Sequence, residues 1–242
     1  MKILLDVDGT LTPSRCRIDP DFGVWFSEFI ERNDVYIVTG SNKEKTVEQL
    51  GEYIYSKLKG AYQCSGNEHW VGDRLIRTTD FEYSPGLEDA LKLELTVSKF
   101  YIRTGNHLEV RPGLLNFSVV GRNATTEQRK SYVEFDELHD ERNTIAKHLM
   151  GKFPDYNFQV AGETGIDITK VGFGKEQVLT EFEKSAMILF IGDKTSKGGN
   201  DYEISQAVVA RSGGSNSFAH GQGKFYNVEG WKDTWKILKA VE

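Results

Sequence analysis

The first forty residues alternate between short apolar runs and one amphipathic segment. Residues 2–5 form a short, mainly apolar run that stops at Asp6, and residues 35–38 form another that stops at Thr39. Short continuous apolar runs bounded by polar turns indicate buried strands of a parallel sheet. Residues 19–32, between these runs, place large apolar side chains on one face of a predicted helix. These side chains are Phe22, Trp25, Phe26, Phe29 and Ile30.

The same pattern continues and then returns near the end of the chain. We expect a helix over residues 43–57, and later helices at 175–184 and 231–241 around a strand at 186–191 that ends in Gly-Asp. The Gly- and Ser-rich residues 212–217 are expected to form a loop. A β-α-β-α series predicts a parallel sheet covered by helices. The fold class predicted for these parts is α/β, a Rossmann-like doubly wound parallel-sheet core.

The middle of the chain has a different pattern. Strand-like segments are joined by a turn at Pro112-Gly113 and are separated by a long polar helix over residues 126–152. Such strands indicate an antiparallel sheet and a separate α+β layer. We therefore predict a catalytic core of residues 1–82 and 172–242 with an inserted α+β cap domain of residues 83–171. The strand-like segments are residues 107–111, 114–121, 157–162 and 166–170.

Composition excludes several classes of function. The 242-residue chain has a formal net charge of −6, so we expect no nucleic-acid partner, and any anion site must come from locally clustered Arg and Lys. The two cysteines, Cys16 and Cys64, lack metal-binding or disulfide spacing, which favours a reducing compartment. No apolar stretch reaches the ~18 residues that a membrane span requires, and no apolar leader precedes the first strand. We expect a cytoplasmic protein without membrane contact.

The strongest chemical signal is the segment Asp6-Val7-Asp8-Gly9-Thr10, directly after the first predicted strand. Ligand sites in open parallel sheets lie at the carboxyl ends of the strands. A bound Mg²⁺ would keep Asp6 ionised as a nucleophile, and Asp8 would then act as the general acid and base. The alternative is a solvent-exposed acidic turn without chemistry.

A second acidic segment, Gly192-Asp193, follows the strand predicted at residues 186–191. Asp193 would complete an oxygen-rich Mg²⁺ site with Asp6 and the backbone carbonyl of Asp8. Asn200 and Asp201, a few residues further on, would orient that site from behind. The alternative for this segment alone is a polar glycine turn.

A phosphate cradle is predicted from Thr39 and Ser41, at the end of the second strand. Hydroxyl groups and backbone N–H groups before a helix bind anions. Lys175 precedes a helical pattern and would neutralise the transferring phosphate, although a lone lysine is far more often a solvated surface residue. Its place in the order strand-Asp, strand-Thr, Lys, strand-Gly-Asp is what favours a role in the site.

This order of motifs resembles the haloacid dehalogenase-type (HAD-like) phosphotransferases, and the inserted domain is similar to their C2-type cap. The chain resembles the eukaryotic-type phosphomannomutases over nearly its whole length, and the resemblance is most specific in three segments. These segments are residues 6–15, residues 111–123 and residues 192–204.

The resemblance implies a mutase that interconverts the 6-phosphate and 1-phosphate of mannose, or of glucose, for GDP-mannose biosynthesis. A hexose 1,6-bisphosphate would be the activator and intermediate, and a homodimer through the cap is implied as well. Arg15 and Asp167 match substrate-binding positions of the family. Gly165 stands where the family carries a serine. Thr39 stands where the family usually carries glycine, and threonine at this place is common in related phosphatases.

Three arginines of the predicted cap lie close together in the sequence: Arg111, Arg122 and Arg129. Arginine forks bind phosphate oxygens bidentately. A mutase must hold the phosphate that is not reacting, and the resemblance matches all three arginines to phosphate-binding positions. The alternative is a set of surface ion pairs with Glu109, Glu127 and Glu134.

Two rival functions stay open on the sequence. A Mg²⁺-dependent sugar-phosphate phosphatase would use the same core motifs and would release inorganic phosphate in place of an isomer. A non-catalytic sugar-phosphate-binding protein is less favoured, because such a protein has no need of a nucleophile.

Overall fold

A computed structural model describes residues 1–218 and 221–241, which form two compact units. The first unit contains Met1–Thr78 and the described part of Gly172–Glu242, and the second contains Thr79–Val171. The strands are β1 (Lys2–Leu5), β2 (Asp34–Val38), β3 (Gly60–Gln63), β4 (Glu68–Val71), β5 (Arg74–Thr78), β6 (Leu108–Arg111), β7 (Leu114–Phe117), β8 (Tyr156–Ala161), β9 (Gly165–Lys170), β10 (Ile188–Gly192) and β11 (Gly223–Asn227). The α-helices are α1 (Pro20–Arg32), α2 (Lys43–Leu50), α3 (Glu52–Lys57), α4 (Pro85–Val97), α5 (Thr126–His139), α6 (Glu141–Lys152), α7 (Tyr202–Ala210) and α8 (Trp231–Val241).

The first unit is built on a seven-stranded sheet in the order β11-β10-β1-β2-β3-β4-β5. The strands from β11 to β3 are parallel, and β4 and β5 extend the sheet as an antiparallel hairpin. The chain moves outward from β1 to β2 and β3, and returns to the other side of β1 with β10 and β11. This reversal beside β1 confirms the predicted α/β class with a doubly wound parallel sheet.

Helix α1 shows why the first predicted elements form. The Asp19 side chain accepts hydrogen bonds from the N–H groups of Asp21 and Phe22, which caps the helix and stabilises it by about 1 kcal/mol. The predicted apolar face packs into the main core cluster, with Phe22 and Phe26 fully buried and Trp25 partly buried. Strands β1 and β2 and helices α1 and α8 confirm the corresponding predictions.

Two predicted helices are each divided into two. The helix expected over residues 43–57 is interrupted at Gly51, whose φ of +83° is a left-handed conformation that glycine adopts without strain. The helix expected over residues 126–152 is interrupted at Asp140, which has a φ of +50°. The single-helix predictions were therefore wrong at these two positions.

Three other predicted elements have different bounds or a different type. The segment that begins at Lys175 is a 3₁₀-helix, Lys175–Glu181, and not an α-helix to residue 184. Strand β10 begins at Ile188, two residues later than predicted, and β7 ends at Phe117 because the chain turns away over residues 118–121. Residues 212–217 form a loop, as predicted.

The second unit contains a four-stranded antiparallel sheet in the order β6-β7-β9-β8. The predicted turn joins β6 to β7, because Arg111 pairs directly with Leu114 across it. One face of this sheet is apolar and belongs to the same core cluster as residues of α4, α5 and α6. Its apolar side chains include Leu115, Phe117, Phe158, Ile166 and Ile168. Within the described residues, no helix combines the length and the apolar character that a membrane crossing requires.

Candidate active site

The candidate site lies at the carboxyl ends of three neighbouring strands. Asp6 follows β1, which is paired with β10 on one side and β2 on the other, and the N–H of Asp6 donates to the Ile191 carbonyl at 3.0 Å. Asp193 follows β10, and Thr39 follows β2. The strand order reverses at β1, and ligands of open α/β sheets bind at such a reversal.

The turn after β1 brings its backbone close to Asp193. The carbonyl of Val7 accepts the N–H groups of Thr10, Leu11 and Thr12, which folds the segment into a tight loop. Gly9 lies in this loop with a φ of +81°, and a Cβ atom on it would overlap the Asp193 carboxylate. Glycine is therefore required at position 9 both for its conformation and for the approach of Asp193.

Lys175 connects two carboxylates in the interior of the first unit. Its Nζ donates to Asp6 Oδ1 at 2.7 Å and to Asp201 Oδ1 at 2.6 Å. The side chains are 2% exposed for Lys175, 4% for Asp6 and 0% for Asp201. Buried charges of this kind persist only when they are paired. The structure thus brings together the two motifs that the sequence places 169 residues apart.

Burial and the neighbouring charges shift the pKa values of Asp6, Lys175 and Asp193. Burial raises the pKa of Asp6, the nearby Asp201 and Asp193 carboxylates raise it further, and the Lys175 ammonium opposes them. Burial alone would lower the pKa of Lys175, but Asp201 and Asp6 outweigh it and raise that pKa. Burial followed by Asp201 also raises the pKa of Asp193, against the opposing charges of Lys194 and Lys175. The cluster therefore holds more negative charge than one lysine neutralises.

The same cluster has the donor atoms of a metal site. One carboxylate oxygen each from Asp6, Asp193 and Asp201 lies within 4.8 Å of the others, so the group fits a hard cation bound by oxygen. Asn200 next to it in sequence has a buried Oδ1 without a hydrogen-bond partner among the described residues. The Asp8 carboxylate is not a member of this acidic group.

The Asp8 carboxylate is fully engaged by donors of the first unit. Its Oδ1 accepts from the Arg15 N–H at 2.8 Å and from Gln49 Nε2 at 2.9 Å. Its Oδ2 accepts from Lys45 Nζ at 2.7 Å and from Ser41 Oγ at 3.2 Å. Burial raises the pKa of Asp8, but these hydrogen bonds and the Lys45 charge outweigh it and lower the pKa to about 2.

Lys45 and Gln49 were not predicted as site residues. Both lie on α2, four residues apart, and residues at that spacing share one helical face. Gln49 Nε2 also donates to Thr12 Oγ1 at 2.9 Å. The signal available in the sequence was the spacing of Ser41, Lys45 and Gln49, which places three polar groups after the second strand at intervals of one helical turn.

The two hydroxyl residues after β2 have different surroundings. Thr39 is buried, and its Oγ1 accepts from the N–H of Ser41 at 3.1 Å. Ser41 Oγ donates to Asp8 and accepts from Lys45 Nζ at 2.9 Å. Ser41 therefore belongs to the Asp8 group, and Thr39 orders the turn that carries Ser41.

The predicted substrate-binding arginines of the second unit contact glutamates. Arg111 Nη2 and Arg122 Nε lie 2.7 Å and 2.6 Å from the same Glu109 Oε2. Arg129 Nη2 lies 3.2 Å from Glu163 Oε2. Glu109 is the partner foreseen in the ion-pair alternative, whereas Arg129 pairs with Glu163 and not with the glutamates expected there.

Two further predicted substrate residues lie in different units. Asp167 is on β9 of the second unit, and its Oδ1 accepts from Asn116 Nδ2 at 2.6 Å. Burial raises the pKa of Asp167, although Asn116, Arg111 and Arg122 oppose that effect. Arg15, in the first unit, has a φ of +60° and donates its backbone N–H to Asp8.

Comparison with known proteins gives a consistent result. The model of the eukaryotic phosphomannomutase family matches residues 24–218. The phosphomannomutase of Saccharomyces cerevisiae is 32% identical over 212 residues, which cover 84% of this chain and 84% of the yeast protein. The phosphomannomutase of Dendrobium officinale is 34% identical over 211 residues, 84% of this chain and 83% of the orchid protein.

Solved structures with a similar fold are distant in sequence. The C-terminal domain of the Candida albicans trehalose-6-phosphate phosphatase aligns with a TM-score of 0.62 at 14% identity, over 99% of this chain and 90% of that one. The N-terminally truncated Plasmodium falciparum IMP-nucleotidase aligns with a TM-score of 0.63 at 13% identity, over 100% of this chain and 70% of that one. At these identities the likeness concerns the fold alone.

Proposed function

Because the chain belongs to the eukaryotic phosphomannomutase family and is a phosphotransferase of the mutase type, we propose that it interconverts hexose 6-phosphate and hexose 1-phosphate. Mannose phosphate is the first candidate substrate and glucose phosphate the second. The observation that carries the proposal is the buried Asp6 carboxylate at the end of β1, held by Lys175 at 2.7 Å. It combines a nucleophile with a fixed positive charge where a phosphoryl group would transfer.

In the proposed reaction, an Asp6 oxygen attacks the phosphorus of a hexose bisphosphate. The bond between phosphorus and the sugar oxygen breaks, and the phosphoryl group becomes a phospho-aspartate at Asp6. Asp8 gives a proton to the departing sugar oxygen, and in the reverse direction it takes the proton from the attacking hydroxyl. A hexose monophosphate then takes the phosphoryl group from Asp6 on its free hydroxyl, whose proton passes to Asp8, and becomes the bisphosphate. The bisphosphate turns end for end, so that its other phosphate faces Asp6 for the next transfer.

The contacts of Asp8 are relevant to its proposed role. A carboxylate has about four lone-pair sites, and four donors occupy the two oxygens of Asp8. Asp8 must therefore release at least one donor before it accepts a proton from the sugar. Ser41 Oγ, at 3.2 Å, makes the longest of these contacts and is the one expected to be released first.

The acidic group is proposed to hold Mg²⁺. Asp6, Asp193 and the backbone carbonyl of Asp8 would be ligands, and Asn200 and Asp201 would orient them. When bound, the ion would withdraw charge from the transferring phosphate and keep Asp6 ionised. Burial first, and then the neighbouring carboxylates, raise the pKa values of Asp6 and Asp193, and a bound cation would offset both costs, which supports this assignment. Thr39 or Ser41, together with Lys175, would contact the transferring phosphate.

The phosphate that does not react is proposed to bind arginines. Arg15, Arg111, Arg122, Arg129 and Asp167 would together bind the sugar and this phosphate. The shared contact with Glu109 Oε2 holds the guanidinium groups of Arg111 and Arg122 side by side, and a phosphate would compete with this carboxylate for their donors. We further propose hexose 1,6-bisphosphate as activator, a cytoplasmic homodimer formed through the second unit, and a place in GDP-mannose biosynthesis.

A sugar-phosphate phosphatase is the second candidate, because it would use the same buried Asp6, the same Lys175 and the same acidic group. One assay separates the two candidates. The protein is incubated with mannose 1-phosphate, Mg²⁺ and a catalytic amount of hexose bisphosphate, and isomer and free phosphate are measured together. Isomer as the main product supports the mutase. Free phosphate without isomer would overturn it in favour of the phosphatase.

Replacing Arg122 or Arg129 with alanine is expected to reduce isomerisation much more than hydrolysis. Each loss weakens the hold on the distal phosphate by about 1.5–3 kcal/mol, the range for hydrogen bonds to charged groups. This corresponds to roughly a tenfold to hundredfold loss of occupancy. The chemistry at Asp6, in the other unit, should persist, so the ratio of free phosphate to isomer should rise.

The matched control for these variants is Lys130→Ala, which removes an exposed cation beside Arg129 on α5. Its product ratio should equal that of the wild type. A parallel fall of both products in the arginine variants would show that these residues stabilise the second unit and do not bind the distal phosphate.

Asp193→Ala is expected to raise the Mg²⁺ concentration needed for the half-maximal rate, because an oxygen ligand is lost. The measurement is a Mg²⁺ titration of the initial rate, with the exposed Glu203→Ala as the control for a general change in surface charge. An unchanged Mg²⁺ requirement would remove Asp193 from the proposed ligand set.

A further inference from the structure

A row of polar side chains crosses the sheet of the second unit. Glu109 on β6 pairs with Asn116 on β7, Asn116 pairs with Asp167 on β9, and Asp167 pairs with Gln159 on β8. Side chains at directly paired positions project from the same face of a sheet. The opposite face carries the apolar side chains of the core cluster. The polar row therefore lies at the centre of the sheet face opposite the core cluster.

Asn116 is the member of this row with an incomplete set of hydrogen bonds. It is 4% exposed, and its Nδ2 donates to Asp167 Oδ1 at 2.6 Å. Its Oδ1 is buried and has no hydrogen-bond partner within residues 1–218 and 221–241. Buried polar atoms are nearly always paired, so an orphaned acceptor beside a buried carboxylate is open to a donor from outside the described residues, such as a bound ligand.

Gly165 provides the space that Asn116 occupies. A Cβ atom at position 165 would lie 2.6 Å from Asn116 Nδ2 and 3.3 Å from Asn116 Oδ1. Any larger residue at 165 would therefore displace the amide from its present position. The present orientation of the Asn116 amide therefore depends on the absence of a side chain at position 165.

The chemistry of the free atom restricts what it binds. An amide oxygen only accepts hydrogen bonds, and a phosphate oxygen ionised at neutral pH also accepts them. The partner of Asn116 Oδ1 must therefore be a donor, such as a sugar hydroxyl. Arg111 and Arg122, whose positive charges oppose the rise in the pKa of Asp167, offer the donors that a phosphate requires.

We propose that Asn116 is a specificity-determining residue whose Oδ1 accepts a hydrogen bond from one hydroxyl of the hexose phosphate, while its Nδ2 orients Asp167. This inference rests on the proposed function for the class of ligand. It adds a residue that the family resemblance did not supply, and it links that residue to Gly165.

The test measures binding of mannose 6-phosphate and of its 2-, 3- and 4-deoxy analogues by calorimetry, without Mg²⁺ so that no turnover occurs. The wild type should bind one analogue about three- to tenfold more weakly than the parent sugar, as expected for one lost hydrogen bond. Asn116→Ala should bind the parent sugar more weakly by a similar factor and should no longer discriminate against that analogue. Asn157→Ala, which removes an asparagine from β8 on the far side of β9, should discriminate as the wild type does.

A second variant pair tests the relation to Gly165. Gly165→Ser alone should weaken binding, because its Cβ displaces the Asn116 amide. In the Asn116→Ala background the same serine should be tolerated and should restore part of the affinity through its hydroxyl. Circular dichroism melting of each variant verifies that the second unit is folded.

The outcomes separate this inference from the proposed function. Unchanged discrimination by Asn116→Ala against all three analogues would overturn the role of Asn116, whatever the reaction. Failure of the wild type to bind mannose 6-phosphate or glucose 6-phosphate would overturn it as well. If the wild type binds and discriminates but releases only inorganic phosphate in the product assay, the mutase proposal fails and the Asn116 assignment holds.

Discussion

Asp6→Asn is expected to lower turnover by several orders of magnitude. The amide lacks the charge that attacks phosphorus, and a reaction that proceeds through a covalent intermediate has no alternative route when its nucleophile is removed. The measurement is the isomerisation rate, together with acid-stable labelling of the protein from a radioactive hexose bisphosphate. The wild type should incorporate label, and the variant should incorporate none.

The Asp6→Asn variant should remain folded. Asp6 is buried with a raised pKa, so its charged form is unfavourable in the folded state at neutral pH, and a neutral amide removes that cost. Lys175 keeps Asp201 as a partner at 2.6 Å. A melting temperature equal to or above that of the wild type would show that the loss of turnover is chemical. Near-normal turnover would exclude the phospho-aspartate mechanism.

Lys175→Met is expected to destabilise the folded protein more than any of the substitutions proposed above. Removal of the ammonium leaves the carboxylates of Asp6 and Asp201 buried without their shared partner, and breaking a buried ion pair in this way costs about 3–5 kcal/mol. Urea unfolding at neutral pH measures the loss. The exposed Lys197→Met, in the same unit, should change the free energy of unfolding by less than about 0.5 kcal/mol.

The pH dependence of the Lys175→Met variant follows from the same charges. Without the lysine, the pKa of the Asp6 carboxyl rises further, because the buried ammonium that lowered it is gone. A carboxyl with a raised folded pKa loses stability as pH rises from its unfolded pKa toward its folded one. The destabilisation should therefore be smaller at pH 5 than at pH 8. Adding Asp6→Asn should recover part of the stability, and a double variant as unstable as the single one would contradict this explanation.

The sequence predicted the core of the site because its chemistry lies at strand ends. Asp6, Thr39 and Asp193 each follow a short apolar run, and parallel strands that pair bring their carboxyl ends together. Lys175 was predicted only from its position in the order of motifs, since nothing local distinguishes it from a surface lysine. Its burial between two carboxylates depends on long-range packing that the local pattern does not encode.

Lys45 and Gln49 show what the pattern of apolar residues does not reveal. Both are ordinary polar residues of a helix, and the hydrophobic pattern marks them as solvent-facing. Their contacts with Asp8 arise because α2 begins directly after the Thr39–Ser41 turn and directs one face toward the loop after β1. The pairing of β1 with β2 sets the distance between α2 and the loop after β1.

The interrupted helix at Asp140 and the unpredicted hairpin of β4 and β5 have local causes that the pattern of apolar residues does not reveal. Asp140 has a left-handed conformation, which aspartate tolerates better than most residues but which its sequence context does not announce. The hairpin of β4 and β5 is partly exposed, with Leu75 and Ile76 in contact with solvent, so it lacks the continuous apolar run of a buried strand. Sequence periodicity detects burial, and it misses elements that form at the margin of a sheet.

The position of β1 at the centre of its sheet also affects how the protein is made. β1 is synthesised long before one of its two partners, β10, which begins at Ile188. One edge of β1, whose Ile3, Leu4 and Leu5 are buried, therefore stays unpaired until Ile188–Gly192 has been synthesised, whereas Thr79–Val171 is continuous in sequence. Unpaired apolar strand edges promote aggregation. We expect newly made chains truncated before β10 to depend on chaperones, and the first unit to complete its fold only after β10 and β11 have been synthesised.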